Sequence, residues 1–238
     1  MMKWHKLIAS LASGMILVGI LLTVVFTVCF DHSFYEQEYK ANGQAEKIGM
    51  SQEDLMKSTD ALLDYLQGKK DDIKVEAMMN GHNVEVFNER ETLHMADVKQ
   101  LLDNAVKARD ILLWGGAAIL AAVIASAKRE KFSVLKDAYK YSVAAIGAFI
   151  AVLGCWAAVD FYDFWVDFHY LFFDNTLFFL DPNTSIMINM FPENFFFDLV
   201  FRIIVIVIII IAAIGGSIHW LSVLKRRRET KNDQCCSL

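Results

Sequence analysis

The sequence predicts an α-helical membrane protein: four transmembrane helices with a mainly helical extracytoplasmic cap that can include a small hairpin. Three observations carry this prediction. Hydrophobic residues make up 55% of the 238 and gather into blocks near 20 residues long, rather than recurring at helix or strand period. The mean hydropathy is +0.36 and the chain has only two prolines, so disordered, collagen-like and disulfide-knot classes do not fit. Lysine and arginine concentrate beside the apolar blocks.

The first span is assigned to residues 7–30, too long and uniformly apolar for a cleaved signal peptide. Its lipobox-like run, Phe26-Thr27-Val28-Cys29, has valine where a small residue is needed, so it is an uncleaved anchor. The second span, 111–127, is short and borrows the stems of Lys107 and Arg109. The third is 141–159, and the fourth is a helix at 199–222 around the apolar run 203–222. Between them lie a cap at 31–110, a loop at 128–140, an aromatic segment at 160–198 and a basic tail at 223–238.

Orientation follows from the short basic segments. Lys3 and Lys6, then Lys128, Arg129, Lys131, Lys136 and Lys140, then Lys225, Arg226, Arg227, Arg228 and Lys231 all fall on one side of a four-span protein. The positive-inside rule makes that side, with both termini, cytoplasmic and the cap extracellular. These parts sum to roughly +8, and the two outer segments to roughly −7 each, within a net charge of −5. Such acidic outer segments offer nothing to nucleic acid. Cys29 and Cys155 fall at different membrane depths and predict no disulfide. Cys235 and Cys236 near the C-terminus match a prenylation pattern of little use to a chain already anchored by four helices.

Within the cap, Ser51 with Asp54 signals a helix N-terminus, and Leu55, Thr59, Leu62, Leu63 and Leu66 continue it until Gly68. Residues 73–87 alternate loosely around Asn80-Gly81, a hairpin signal. Asn88 with Glu91 forms a second capping box, opening a helix with few breakers before the second span.

The second outer segment is dense in aromatics, from Phe164 to Phe173 and again from Phe191 to Phe197. Composition alone favours an interfacial aromatic belt; the functional reading is a bulky-walled chamber for an acyl chain. Histidine titrates near neutrality and suits proton transfer. Of six histidines, His5 and His219 lie on the basic side, His82 beside the turn glycine, and His32 just after span one. His94 and His169 stand in distinctive motifs, one in each outer segment. Asp97, three residues after His94, is placed to hold an imidazole tautomer. Lys99 points away from His94 and belongs with the cap or a headgroup. Arg202, four residues after Asp198, either pairs with it or binds an ester oxygen or oxyanion.

His94-Met95-Ala96-Asp97-Val98-Lys99, together with Phe168-His169, Phe172-Phe173, Asp181-Pro182 and Phe191-Pro192-Glu193-x-Phe195-Phe196, resembles the lipoprotein intramolecular transacylases (Lit) of Gram-positive bacteria. The resemblance spans nearly the whole chain and includes the early Tyr35. Thr176, Phe178 and Ser185 depart from the family pattern. The resemblance implies an acyltransferase that needs no cofactor. Its substrate is a diacylglyceryl-modified lipoprotein in the lipid of the cell membrane. Its reaction moves the sn-2 acyl chain onto the α-amino group of the N-terminal cysteine, giving the lyso form. His94 is assigned as base and His169 as acid, with Asp97, Lys99, Arg202, Tyr35, Phe172, Phe173 and Asn175 in support.

Two other classes use the same features. A zinc hydrolase would join His94 and Asp97 to Asp163, His169 or Asp174, without a dense ligand motif to support it. A non-enzymatic sensor or complex subunit needs only the cap. A transporter is disfavoured by spans without internal repeats. Straight continuation of the spans would lift His94 roughly 20 Å and His169 roughly 13 Å above the hydrocarbon boundary. A joint site therefore requires either that the helix bearing His94 bends along the membrane surface or that the chain folds back after Asp160.

Overall fold

The computed structural model describes residues 2–127 and 130–235. Lys128, Arg129 and Cys236 lie outside the described residues, as do the side chains of Arg226, Arg228, Lys231 and Cys235, so readings of those groups rest on sequence.

The chain forms α1 (Met2–Cys29), α2 (His32–Asn42), α3 (Gln44–Ile48), α4 (Gln52–Leu66), β1 (Glu76–Met79), β2 (His82–Glu85), α5 (Glu89–Ser126), α6 (Lys131–Val159), α7 (Phe161–Phe172), α8 (Ile186–Met190) and α9 (Glu193–Cys235). By length and composition, four of the described helices can cross a membrane: α1, α5, α6 and α9. Two compact units result. One comprises Met1–Val24, Ala108–Leu153 and Ile203–Leu238, the other Val25–Lys107 and Gly154–Arg202.

The first unit is a helix bundle whose contacts use small residues, as helices in lipid do when packing rather than hydrophobic expulsion draws them together. A Cβ on Gly116 would come within 2.9 Å of the Ala12 carbonyl oxygen, so only glycine lets α1 and α5 approach this closely. Ala9, Val123, Val134 and Ala138 form a buried cluster. Ser142 donates a 2.6 Å hydrogen bond to the Ser10 carbonyl, and Lys6 pairs with Asp137 at 2.6 Å. Large apolar side chains such as Trp114 (76% exposed) and Phe149 (64%) lack protein cover, as lipid-facing surfaces do.

The second unit has a conventional core. Ser51 Oγ accepts from the Asp54 amide at 3.0 Å and starts α4, whose buried face includes Leu55, Thr59, Leu62 and Leu63. Tyr39, Leu55, Thr59, Ile73 and Val86 are essentially inaccessible, and the Tyr39 and Thr59 hydroxyls share a 2.8 Å hydrogen bond. The strands pair antiparallel, from Glu76 opposite Glu85 to Met79 opposite His82. Asn80 (φ +52°) and Gly81 (φ +82°) supply the two positive φ angles that a two-residue type I′ hairpin turn requires.

α2, α3, α7 and α8 have no counterpart in the sequence-based assignment. α7 is amphipathic, with Asp163 and Asp167 one turn apart on one face, but from sequence its aromatic residues read as a belt or chamber wall and no helix is assigned there. Its boundary is chemical: Asp160 adopts extended backbone (φ −150°, ψ 100°) and its carboxylate accepts from the Asp163 amide at 2.9 Å, ending α6 and capping α7. Of the two routes to a joint site, the break at Asp160 is present, whereas α5 runs without interruption from Glu89 to Ser126.

Candidate active site

The second unit brings its two chain segments, Val25–Lys107 and Gly154–Arg202, together through the first turns of α5. Asn88 and Glu91 form the reciprocal capping box: the Glu91 amide donates to Asn88 Oδ1 at 3.0 Å, and the Asn88 amide donates to Glu91 Oε2 at 2.6 Å. The other carboxylate oxygen of fully buried Glu91 accepts from Ser185 Oγ at 2.5 Å and from the Met187 amide at 3.0 Å. Glu91 thus starts α5 and holds the start of α8. Arg90 reaches the opposite way, donating to the Phe179 carbonyl at 3.0 Å and to the Thr176 carbonyl. Asn175 donates to Asp97 Oδ2 at 2.8 Å. Arg90, His94 and Asp97 recur at four- and three-residue spacing, so one face of α5 grips the second segment at successive turns.

His94 occupies the middle of that face and is 5% exposed. Its imidazole centroid is 5.9 Å from that of half-buried His169, near the end of α7. Phe173 meets both rings, at 5.5 Å from His94 and 5.8 Å from His169. Phe178 stacks on His169 at 4.7 Å, and Trp165 lies edge-on to it at 5.1 Å. Phe161, Trp165 and Phe168 stack in a row along α7, and Phe196 packs on Trp165 at 4.5 Å. The two histidines are therefore joined, in an apolar aromatic setting.

Their protonation follows from these surroundings. Burial, with His169 adding a smaller push, holds the His94 pKa down to about 4, although Asp97 acts in the other direction. His94 is neutral at pH 7. Burial also lowers the His169 pKa, opposed by its bond to the Trp165 carbonyl. That bond is 2.7 Å from Nδ1. A carbonyl oxygen can only accept, so Nδ1 carries the hydrogen and Nε2 keeps the lone pair. His94 Nδ1 is buried with no hydrogen-bond partner among the described residues, which leaves polar capacity within the site.

Asp97 and Arg202 have partners other than those read from sequence. Asp97 does not hydrogen-bond either imidazole; Asn175 takes its carboxylate, and the influence on His94 is through charge. Arg202 pairs with Asp31 at 2.8 Å rather than with Asp198, because α2 is capped by Asp31 and brings that carboxylate to α9. The buried Tyr35 donates its hydroxyl to the Cys29 carbonyl at 2.7 Å and packs against Phe191 and Phe195, so it builds core. Lys99 lies over the Tyr65 ring at 4.2 Å, within the cap. Phe172 packs on Phe168 and is 46% exposed, whereas Phe173 touches both histidines. Among the described residues no three His, Cys, Asp or Glu side chains gather as metal ligands, so the zinc arrangement finds no complete donor set.

Sequence reasoning overlooked Trp165, Phe178 and Arg90. Trp165 precedes His169 by four residues, the spacing at which a helical side chain can reach back to a carbonyl, but that signal needs α7 to be recognised first. Phe178 and Arg90 meet the site only through the loop they share, which no local pattern encodes.

Four helices long and apolar enough to cross a membrane mark a multi-pass membrane protein, and within it two imidazoles meet among aromatic rings. Residues 10–196 match the family described as lipoprotein intramolecular transacylase Lit, and the chain belongs to that family. It is a lipoprotein intramolecular transacylase, an integral membrane acyltransferase acting on lipoproteins. The fold agrees with the in meso structure of the membrane-integral Lit from Bacillus cereus, with a TM-score of 0.69 at 18% identity, covering 96% of this chain and 100% of that one. Two further structures of the Bacillus cereus protein, with one histidine changed to arginine or to alanine, match with TM-scores of 0.68 and 0.67 at the same 18% identity. They cover 96% and 94% of this chain and 95% and 96% of theirs. No curated protein sequence matches the chain.

Proposed function

We propose that this transacylase moves the sn-2 acyl chain of a diacylglyceryl-modified lipoprotein onto the α-amino group of the same molecule's N-terminal cysteine, yielding the lyso form. The observation that carries this reading is the 5.9 Å approach of His94 and His169, each contributed by a different outer segment. Amine, thioether, glycerol and ester belong to one substrate, so attack closes a medium-sized ring. Holding that floppy molecule folded on itself can supply ~7 to 11 kcal/mol of the barrier.

The Trp165 bond favours reversing the roles assigned from sequence. Nε2 of His169 carries the free lone pair and takes a proton as the amine nitrogen attacks the ester carbonyl. Neutral His94 donates an N–H to the carbonyl oxygen as it gains negative charge, a task for which a depressed pKa is suited. The attack forms the C–N bond; collapse restores the carbonyl and breaks the C–O ester bond, and protonated His169 returns its proton to the departing glycerol oxygen. Both histidines end neutral, and no cofactor enters. Asp97 and Asn175 hold α5 to the loop after α7, and Phe173 and Phe178 keep water from the imidazoles.

Basic residues around α1, α6 and α9 support a cytoplasmic location for both termini and an extracellular one for the second unit. The test is a synthetic diacylglyceryl peptide with an isotope-labelled sn-2 chain, incubated with the purified protein in vesicles and read by tandem mass spectrometry. The reading expects the label to leave the glycerol ester for the cysteine amide with total mass unchanged; release of the label as free acid would refute it.

A further inference from the structure

The first unit contains an open groove of about 380 Å³ that is separate from the histidine pair and lies between α6 and α9. Lys136, Tyr139, Lys140, Val143 and Ala144 line it from α6, and Gly215, Ile218 and His219 from α9. Its volume falls within the usual range for ligand sites, ~300 to 1,000 Å³. Its floor is defined: Tyr139 donates its hydroxyl to the Ile211 carbonyl, and its ring lies where a Cβ on Gly215 would meet it at 3.1 Å. Glycine at 215 lets the ring seat against α9, and Val143 and Ala144 leave an apolar slot beyond it.

Lys136 and Lys140 are one helical turn apart on the same face of α6, with His219 supplied by α9. The acid between them, Asp137, is committed to Lys6 at 2.6 Å, and neither lysine has an ion-pair partner among the described residues. Both are exposed, just before the apolar run at 141–159, where a spanning helix meets the headgroup layer. Two exposed lysines without ion-pair partners among the described residues, bordering an apolar groove, complement one kind of ligand: a phosphodiester attached to a hydrocarbon chain.

We propose that this cleft binds an anionic phospholipid, its phosphate on Lys136 and Lys140 and an acyl chain in the slot beside Val143, Ala144 and Gly215. Basic pockets between membrane helices are suited to such headgroups. The lipid would act as a clasp between α6 and α9, distant in sequence from the reacting histidines.

The experiment is native mass spectrometry of the full-length protein released from micelles with equal phosphatidylglycerol and phosphatidylcholine. The expected result is at least tenfold preferential retention of phosphatidylglycerol, lost in Lys136→Gln/Lys140→Gln and undisturbed by millimolar inorganic phosphate. Ala144→Leu, which fills the slot but keeps both lysines, should also lose the lipid. Thermal unfolding of each variant without added lipid confirms that it is folded, and the histidine pair should still support transfer. Equal retention of the two lipids, full retention by either variant, or displacement by free phosphate would overturn the proposal.

Discussion

Glu91 and Ser185 are 94 residues apart in the chain and 2.5 Å apart at their side-chain oxygens. The contact joins the two chain segments of the second unit, one helical turn before His94. Because Glu91 also accepts from the Asn88 and Met187 amides, three donors depend on one buried carboxylate. Serine suits the partner position: its hydroxyl donates to Glu91 while its oxygen accepts from the Ile188 amide at 3.2 Å and caps α8.

Removing that carboxylate should therefore cost stability before chemistry. Glu91→Ala is expected to lower unfolding free energy by ~3 kcal/mol, since it leaves buried donors unpaired. Glu91→Gln should recover part of the loss. Thermal unfolding in detergent measures both, and an unchanged midpoint for the alanine variant would show that the segments are held by other contacts.

The buried histidine predicts a pH window. His94 binds a proton in the unfolded chain near the ordinary value of 6.5 but only near 4 when folded. Between those values the unfolded state carries more protons, so stability is present above about pH 6.5 and is lost as pH falls toward about 4. His169, also lowered by burial, adds in the same direction. His94→Phe should flatten much of this slope in unfolding measured from pH 7.5 to 4.5; an equally steep slope in the variant would place the titration elsewhere.

Asp97 and Asn175 provide a separable test of positioning. A double-mutant cycle with alanine at each position should give a coupling of ~1 kcal/mol, because one hydrogen bond of 2.8 Å joins them. Asp97→Asn should slow transfer less than loss of either histidine, about tenfold, since its carboxylate touches neither ring. Additive stabilities would show the bond to be idle.

Tyr35 separates core from catalysis. Tyr35→Phe deletes the donor to the Cys29 carbonyl and should cost ~1 kcal/mol in stability while leaving the transfer rate within about threefold. A large fall in rate with unchanged unfolding would restore Tyr35 to the reacting site.

The parts of the fold readable from sequence are those with local causes. Blocks of apolar residues announced the spanning helices, Ser51 and Asn88 with Glu91 announced helix starts, and Asn80-Gly81 announced the hairpin. α7 was missed although Asp160, Asp163 and Asp167 recur at helical spacing, because the density of aromatic residues around them reads as composition rather than as period, and α2 because only Phe34, Tyr35 and Tyr39 along it are buried. At the site, His94 and His169 stood out by chemistry and motif. Their supports did not, because Arg90 and Phe178 depend on where a loop returns, 86 to 89 residues later for the Arg90 bonds. The Asp198 pairing, one of two readings offered for Arg202, was a local rule overridden by Asp31, which tertiary packing brings within 2.8 Å.

The central claim is that His94 and His169 act as one unit on one acyl group. Single-turnover transfer in vesicles should be compared for wild type, His94→Ala, His169→Ala and the double variant, each shown to be folded by its unfolding transition. Each single change should slow the ester-to-amide step by ~10² to 10⁴, and the double variant should be little slower than the worse single one. Full-rate transfer by either single variant, or losses that multiply in the double, would contradict the shared site.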